Sequence, residues 1–165
     1  MTETRQATQP TTSDREIVVS RLIDARQELV FEAFTEVEHL SRWWGPKGFT
    51  TTTRSFEFRE GGVWDFVMHG PDGTDYPEWI TWIELVPPKR ITLLHGTSRD
   101  DPKAFESTLD FTSHGAATRI VMRSVFPTPQ LRDQAVLEYC AIEGGEQTLG
   151  NLAAYVVEAA QKEDR

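Results

Sequence analysis

The sequence predicts an α+β domain in which a curved antiparallel sheet of six or seven strands wraps around a long C-terminal helix. Three observations lead to this fold class. One strand-like segment is followed by two short helical segments, then by six strand-like segments joined by turns, and finally by a long amphipathic segment. Strands joined by hairpins pair antiparallel. Because one face of such a sheet carries large apolar residues that need cover, we expect the last helix to lie across it.

The first ordered segment is predicted to be a strand, followed by two short helices. Residues 17–23 are rich in β-branched side chains, which favour a strand. The stretch Asp24-Ala25-Arg26-Gln27 resembles a capping box and predicts that a helix begins there. A second box, Thr35-Glu36-Val37-Glu38, predicts another helix directly afterwards. Gly45-Pro46 ends that helix, because proline cannot continue it.

From residue 49 to residue 125 every segment has the composition of a strand, with glycine, proline and aspartate at the turns. Pro77 predicts that its strand lies at an edge or carries a bulge, because proline cannot donate to a ladder of hydrogen bonds. The six predicted strands span residues 49–59, 63–69, 75–86, 89–96, 103–112 and 117–125.

Residues 129–162 are predicted to form one continuous helix with an apolar stripe. Gly144 and Gly145 interrupt this stripe, and Glu146 stands where an apolar residue would fit. A glycine inside a helix costs about 1 kcal/mol relative to alanine, so the pair needs a structural reason. One interpretation is close packing against the sheet, and the other is that the helix forms the floor of a cavity. The stripe itself consists of Ile142, Leu149, Leu152 and Val156.

Composition limits the possible functions. The 165 residues carry a formal net charge of −9, which disfavours binding to nucleic acid or to an anionic membrane, since both require a basic surface. No apolar run reaches the length of a membrane span. Residues 1–14 are polar and lack the apolar core of a signal peptide, which predicts a disordered tail before a single domain at 15–162. Cys140 is the only cysteine, and we expect a cytoplasmic location.

Seven short motifs follow one another along residues 15–160: Arg15-Glu16-Ile17-Val18; Ala25-Arg26 with Val30-Phe31; Leu40-Ser41-Arg42-Trp43-Trp44-Gly45-Pro46; Gly61-Gly62-Val63-Trp64-Asp65-Phe66; Gly70-Pro71-Asp72-Gly73; Glu84-Leu85-Val86-Pro87-Pro88; and Gly145-Glu146-Gln147-Thr148-Leu149. In this order they resemble the helix-grip (Bet v 1/START-like, or SRPBCC) superfamily. The similar branch is the one named after the C-terminal domain of heat-shock-protein-90 ATPase activators. The resemblance implies a cavity between the sheet and the long helix. It leaves the activity open, because the fold is shared by lipid carriers, hormone receptors, polyketide cyclases and antibiotic-resistance proteins.

The titratable residues give few catalytic candidates. The four histidines, His39, His69, His95 and His114, are far apart in the sequence and form no metal-ligating motif, so neither a metal nor a cofactor is expected. His95 alternates with Ile91 and Leu93 and is expected to point inward, where a histidine is more often a hydrogen-bonded core residue than a catalyst.

Carboxylates provide the other candidates for acid–base chemistry. Glu84 alternates with Ile80 and Trp82, so the three should share one face. On the inner face Glu84 would be a pocket carboxylate, and on the outer face it would pair with a basic residue of the neighbouring strand. If Glu84 and Glu146 both faced the cavity, they could act as an acid/base pair. The candidates are therefore Glu84, His95, Tyr139 and Glu146.

The sequence has no Gly-x-Ser-x-Gly motif, no paired cysteine and histidine and no Walker loop, which favours binding over catalysis. We expect a monomer or homodimer that holds a small hydrophobic, aromatic or lipid-like ligand between the sheet and the C-terminal helix. One alternative is an enzyme related to polyketide cyclases, dehydratases or hydrolases, and another, from the family name alone, is a co-chaperone-like interaction domain. The residues expected to contact the ligand are Trp44, Trp64, Phe66, Met68, Ile80, Trp82, His95, Leu109, Phe111, Met122, Tyr139, Ile142, Gly145 and Leu149.

Overall fold

The computed structural model of the chain describes residues 12–163 and shows the predicted α+β architecture. Most of the predicted tail, residues 1–11, lies outside the described residues, and Ser13–Arg15 form a short 3₁₀ turn. The elements are β1 (Glu16–Ile23), α1 (Gln27–Glu32), α2 (Val37–Trp43), β2 (Thr50–Phe56), β3 (Val63–His69), β4 (Asp75–Val86), β5 (Arg90–Gly96), β6 (Phe105–His114), β7 (Ala117–Val125), α3 (Pro129–Tyr139) and α4 (Ala141–Glu163).

All seven strands form one antiparallel sheet in the order β1-β7-β6-β5-β4-β3-β2, so β1 and β2 are its edges. The position of Pro77 agrees with its predicted edge character. Pro77 lies opposite Val67 of β3, whereas the pairing of β4 with β5 begins only at Trp79. The proline therefore stands where β4 extends beyond β5 and needs no amide hydrogen bond on that side.

The two short helices are present, but the predicted capping boxes are wrong. Arg26 and Glu36 occupy the N-cap positions, and neither gives a side-chain cap. Thr35 instead donates its hydroxyl to the Glu32 carbonyl oxygen at the end of α1 (2.9 Å). Burial of apolar side chains, rather than local capping, therefore holds these helices in place. The buried residues are Leu29, Val30 and Phe31 of α1, and Leu40 and Trp43 of α2.

The C-terminal segment is two helices, so the prediction of one continuous helix is wrong. Cys140 has left-handed backbone angles (φ 51°, ψ 44°) and ends α3, where its amide donates to the Ala135 carbonyl oxygen. Thr128 caps the start of α3 by accepting a hydrogen bond from the Leu131 amide (3.1 Å). The helix α3 contains no buried residue and packs on the start of β1, whereas α4 carries the buried stripe. The turn at Cys140 allows the two helices to follow different surfaces.

Aromatic rings fill the interior between the concave face of the sheet and the helices. Trp43, whose ring centroid lies 4.8 Å from that of Phe34, donates its indole N–H to the Ala33 carbonyl oxygen (3.1 Å). Trp44 lies edge-on to Trp64 (5.6 Å), and Trp64 stacks on Phe66 (3.6 Å). These rings are at most 9% exposed, so the interior is a packed core along this line.

Gly145 approaches the sheet closely, as the first interpretation of the glycine pair predicted. A Cβ atom added there would lie 3.3 Å from Val19 Cγ2 and 3.5 Å from Met122 Cε. At Gly144 an added Cβ would lie 3.6 Å from Pro46 Cγ, which is an ordinary van der Waals distance. Side chains of β1 and β7 therefore occupy the space beneath Gly145, and no cavity opens at this point of the helix.

Replacing each glycine by alanine tests this packing. Gly144→Ala is expected to raise the free energy of unfolding by about 1 kcal/mol, because alanine is the better helix former and its methyl group fits beside Pro46. Gly145→Ala is expected to give a smaller gain or a loss, because Val19 must move. Urea denaturation of both variants measures the difference. Equal stabilisation by the two substitutions would show that free space lies beneath Gly145.

Glu16 connects the start of β1 to β7 and to the 3₁₀ turn. Its carboxylate accepts hydrogen bonds from the guanidinium of Arg123 (2.6 Å) and from the hydroxyl of Thr12. These two bonds, together with the positive charges of Arg123 and Arg15, lower the pKa of Glu16 from 4.5 to about 2. The ionised form of Glu16 is therefore the one that the fold favours.

The stability of a Glu16→Gln variant should depend on pH in a defined way. The pKa of Glu16 is lowered to about 2 in the folded state, so the ionised carboxylate stabilises the fold fully above the unfolded value of 4.5. This stabilisation disappears as the pH falls towards 2. At pH 7 we expect a loss of about 1 kcal/mol, because Arg123 is half exposed and water screens the pair.

Thermal denaturation from pH 7 to pH 2 measures this effect, with Glu28→Gln at an exposed position as the control. A gap between wild type and Glu16→Gln that persists at the lowest pH would contradict the assignment of the effect to the ionised carboxylate.

Candidate functional site

Two titratable side chains hydrogen-bond to each other on the concave face of the sheet. His95 Nε2 of β5 contacts Glu78 Oε1 of β4. The side chains are only 17% and 16% exposed. They face inward because Glu78 alternates with the buried Ile80 and Trp82 on β4, and His95 alternates with the buried residues of β5. An ionised carboxylate can only accept, so Nε2 donates, and in the neutral imidazole Nδ1 is then a hydrogen-bond acceptor.

Aromatic rings from three segments surround this pair. The ring of Phe105, at the start of β6, lies 4.9 Å from that of His95. Phe126, directly after β7, stacks on Phe105 (4.7 Å). The ring centroid of Trp44, directly after α2, lies 6.2 Å from that of His95. A polar pair is therefore placed among flat apolar surfaces, a combination typical of sites for small aromatic ligands.

A second polar pair continues from the first across the sheet. Ser107 of β6 and Ser124 of β7 share a hydroxyl–hydroxyl bond of 2.8 Å and are 4% and 8% exposed. Ser107 lies opposite Leu93 of β5. Leu93 precedes His95 by two residues and therefore faces the same side of the sheet. Glu78, His95, Ser107 and Ser124 thus form a row across four adjacent strands, which we call the polar row.

The segment after α2 is fixed against α4 and the sheet. Asn151 donates its amide to the Gly45 carbonyl oxygen (2.9 Å), and Gln147 accepts a hydrogen bond from the Lys47 amide (3.2 Å). Gly45 has a φ of +100°, and a Cβ atom there would overlap Met68 Cε at 2.2 Å. Only glycine fits at this position. These contacts hold Trp44 beside His95.

The predicted ligand-contacting residues fall into three groups. His95, Met122, Ile142 and Gly145 are half-buried, and Tyr139 is 68% exposed at the end of α3, away from the interior. The remaining residues are at most 9% exposed and form the packed core: Trp44, Trp64, Phe66, Met68, Ile80, Trp82, Leu109, Phe111 and Leu149.

The structure does not bring the four catalytic candidates together. Glu84, Tyr139 and Glu146 are exposed, and only His95 faces the interior. A bulge between Trp82 and Glu84 shifts the pairing with β5 and turns Glu84 outward, in line with the outer-face alternative. A hydrogen bond to Asp110 raises the pKa of Arg90, and the charge of Glu84 adds to this rise. Glu84 and Glu146 therefore do not form an acid/base pair inside the protein.

Sequence reasoning missed the partner of His95. Glu78 was identifiable, because it precedes Ile80 and Trp82 in strict alternation, before the bulge breaks the pattern. Ser107 and Ser124 also alternate with apolar residues, but buried serines in strands are common. Nothing in the sequence indicated that these positions meet, because their proximity depends on strand register.

Two open clefts flank α4. One, of about 770 Å³, lies between α4 and the end of β1 and includes Arg21 and Val157. The other, of about 760 Å³, lies between α4 and the short helices and includes His39 and Tyr155, whose side chains hydrogen-bond. Neither cleft includes a predicted ligand-contacting residue. Within residues 12–163 there is no group of three or more metal-ligating side chains, and no helix is long and apolar enough to cross a membrane.

Substitutions of Glu78 and His95 test whether the stability of the fold depends on this pair. Glu78→Leu and His95→Leu are each expected to lower the free energy of unfolding by about 2 kcal/mol, because each leaves a buried polar group without its partner. The double variant Glu78→Leu/His95→Leu is expected to be about as stable as the wild type, because two apolar side chains then complete the core. Urea denaturation measures all three.

The control for these variants is the exposed ion pair of Arg54 and Asp65 (3.2 Å), where single and double leucine variants should each change stability by less than about 1 kcal/mol. A double variant at Glu78 and His95 that loses the sum of the two single losses would show that the pair serves the fold itself.

Comparison with known proteins supports the fold. Residues 24–157 match the model of the family described as Activator of Hsp90 ATPase homolog 1-like protein. Protein NE0264 from Nitrosomonas europaea is 22% identical, with 92% of this chain and 99% of that chain covered and a TM-score of 0.78. A protein from Arthrobacter aurescens is 22% identical over 91% and 90% of the two chains, with a TM-score of 0.81. Protein Ms6760 from Mycobacterium smegmatis is 20% identical over 92% and 96%, with a TM-score of 0.79.

These identities are low, so the solved structures establish the shared fold and nothing about activity. No curated protein matches the chain.

Proposed function

The chain belongs to the Activator of Hsp90 ATPase homolog 1-like family, as its motifs predicted, and from this premise we propose that it binds a small aromatic molecule carrying a hydroxyl group. The fold family commonly binds hydrophobic ligands. The proposed site is the concave face around His95 and Glu78, bordered by Trp44 and Phe105.

The observation that carries this proposal is the hydrogen-bonded pair of Glu78 and His95 among aromatic rings. Both side chains are more than four-fifths buried, and their desolvation opposes folding unless hydrogen bonds compensate. Apolar residues at the two positions would give a core at least as stable. We therefore attribute the presence of this pair to ligand binding and not to the stability of the fold.

The chemistry of the pair selects the ligand. Glu78 accepts the Nε2 hydrogen, so Nδ1 of His95 is free to accept a hydrogen bond from a ligand hydroxyl. The rings of Phe105 and Trp44 offer flat surfaces to an aromatic ligand. The hydroxyl groups of Ser107 and Ser124 extend the polar row for a second polar substituent. Of the predicted ligand-contacting residues, His95 and Trp44 lie at this site, whereas Val19 and Met122 fill the space beside Gly145.

Acid–base catalysis on such a ligand is a second candidate function. The alternative of a cyclase, dehydratase or hydrolase required at least two of the predicted catalytic candidates inside the cavity. Only His95 faces the interior, and we propose that Glu78 takes the place of the second group. The carboxylate orients the imidazole, whose Nδ1 could take a proton from a bound hydroxyl. The interaction-domain alternative rests on the family name alone.

Binding is tested with naphthol and naphthalene, which differ by one hydroxyl group. Naphthol is expected to quench tryptophan fluorescence saturably, because Trp44 lies beside the site. His95→Phe should weaken naphthol binding about tenfold, the effect of one lost hydrogen bond of about 1.4 kcal/mol, and leave naphthalene binding unchanged.

His114→Phe, at the exposed last residue of β6, is the matched control and should bind both compounds as the wild type does. Absence of saturable quenching by naphthol, or equal naphthol affinity in wild type and His95→Phe, would contradict the proposal.

A further inference from the structure

A chain of three polar side chains crosses the outer face of the sheet at β2, β3 and β4. Thr52 Oγ1 lies 2.7 Å from His69 Nε2, and His69 Nδ1 lies 2.7 Å from Asp75 Oδ1. His69 lies directly opposite Asp75 in the pairing of β3 with β4, and Thr52 is diagonal to it across β2. Side chains alternate along each strand, so this chain lies on the opposite face from Met68 and from the polar row.

The three residues have the mutual geometry of a nucleophile, a base and an orienting carboxylate. A hydroxyl contacts one imidazole nitrogen while a carboxylate holds the other, and this arrangement is recognised by geometry and roles rather than by sequence position. In the neutral imidazole whose Nδ1 hydrogen Asp75 accepts, Nε2 accepts the hydroxyl hydrogen of Thr52. We propose that Thr52, His69 and Asp75 form an acyl-transfer site that hydrolyses small carboxylic esters with a good leaving group.

The reaction proceeds in two steps, acylation of Thr52 and hydrolysis of the acyl-threonine. Thr52 Oγ1 attacks the ester carbonyl carbon, its proton passes to His69 Nε2, and the bond to the leaving oxygen breaks as that oxygen takes the proton from Nε2. A water molecule then attacks the acyl-threonine, gives a proton to Nε2, and releases the carboxylic acid as Thr52 regains its proton. Asp75 is the positioning residue that holds the imidazole orientation throughout.

The location of the site restricts its substrates. Thr52 is exposed on β2, an edge strand, and His69 is 36% exposed, so an ester reaches them without entering the interior. The three side chains supply no donors for the oxyanion that forms on the carbonyl oxygen. A good leaving group lowers the need for such donors, so aryl esters are the expected class.

The test substrate is p-nitrophenyl acetate, with release of p-nitrophenolate followed by absorbance and the acetylated residue located by peptide mass mapping. We expect acetyl transfer to Thr52 in the wild type. Thr52→Val and His69→Gln are expected to lower the rate about 100-fold, the usual contribution of such groups. Thr52→Ser should keep or raise the rate, because a serine hydroxyl is less hindered.

The Asp75→Asn variant distinguishes a catalytic role of the three hydrogen-bonded residues from a purely structural one. A positioning role predicts that this substitution lowers kcat with little change in KM and that Thr52→Ser stays active. A role confined to holding β2 on the sheet predicts loss of stability in Thr52→Val, His69→Gln and Asp75→Asn with unchanged acetylation. Circular dichroism confirms that each variant is folded, and Thr52→Ser keeps the test decisive if another variant is not.

Two controls exclude unspecific acetylation. Thr50→Val removes a neighbouring threonine of β2, and His114→Gln removes the exposed imidazole at the end of β6; both should react like the wild type. Acetyl groups found only on lysine, histidine or the amino terminus, or an unchanged rate in Thr52→Val, would overturn the proposal. This outcome is independent of naphthol binding, because the two sites lie on opposite faces of the sheet.

Discussion

The close approach of α4 to β1 at Gly145 is the constraint on which the rest of the interior depends. With Val19 and Met122 directly beneath the glycine, the helix lies tight against one side of the sheet. The space that remains towards β3 and β4 is then filled by indole and phenyl rings rather than by a second helix. Large rings span such a gap with few side chains, which explains why tryptophans recur on α2, β3 and β4.

One titratable pair lies on the concave face among these rings. The Glu78–His95 pair lies where the ring packing gives way to half-buried residues, and the bonded hydroxyl groups of Ser107 and Ser124 continue it across the sheet. On the outer face, Thr52, His69 and Asp75 form a second hydrogen-bonded set with another solvent environment. One sheet thus carries two imidazole–carboxylate pairs, one enclosed among rings and one open to water, and the difference in surroundings is what distinguishes binding from hydrolysis in the two proposals.

The sequence determined the order of elements well, because hairpin turns and two-residue alternation are local properties; β3, β4 and β7 have the predicted bounds. It failed where a local pattern competed with tertiary packing. The boxes at Asp24 and Thr35 do not cap, and the apolar stripe gave no indication of the left-handed turn at Cys140. At the site, alternation along each strand indicates that both His95 and Glu78 face inward, but it does not indicate that the two side chains meet. Proximity across strands is a matter of register, which alternation within one strand does not contain.

The left-handed turn at Cys140 separates the half-buried helix α3 from the core helix α4. The helix α3 contains no buried residue, and it is attached by the bond from Arg132 to the Glu16 carbonyl oxygen (3.1 Å) and by half-buried apolar contacts such as that of Leu131. Elements with few buried contacts open at lower free energies than the core, so we expect α3 to open before the sheet does. The last two helices therefore contribute differently to the fold. The helix α4 belongs to the core, whereas opening of α3 would expose the start of β1 and leave the packing of α4 on the sheet intact.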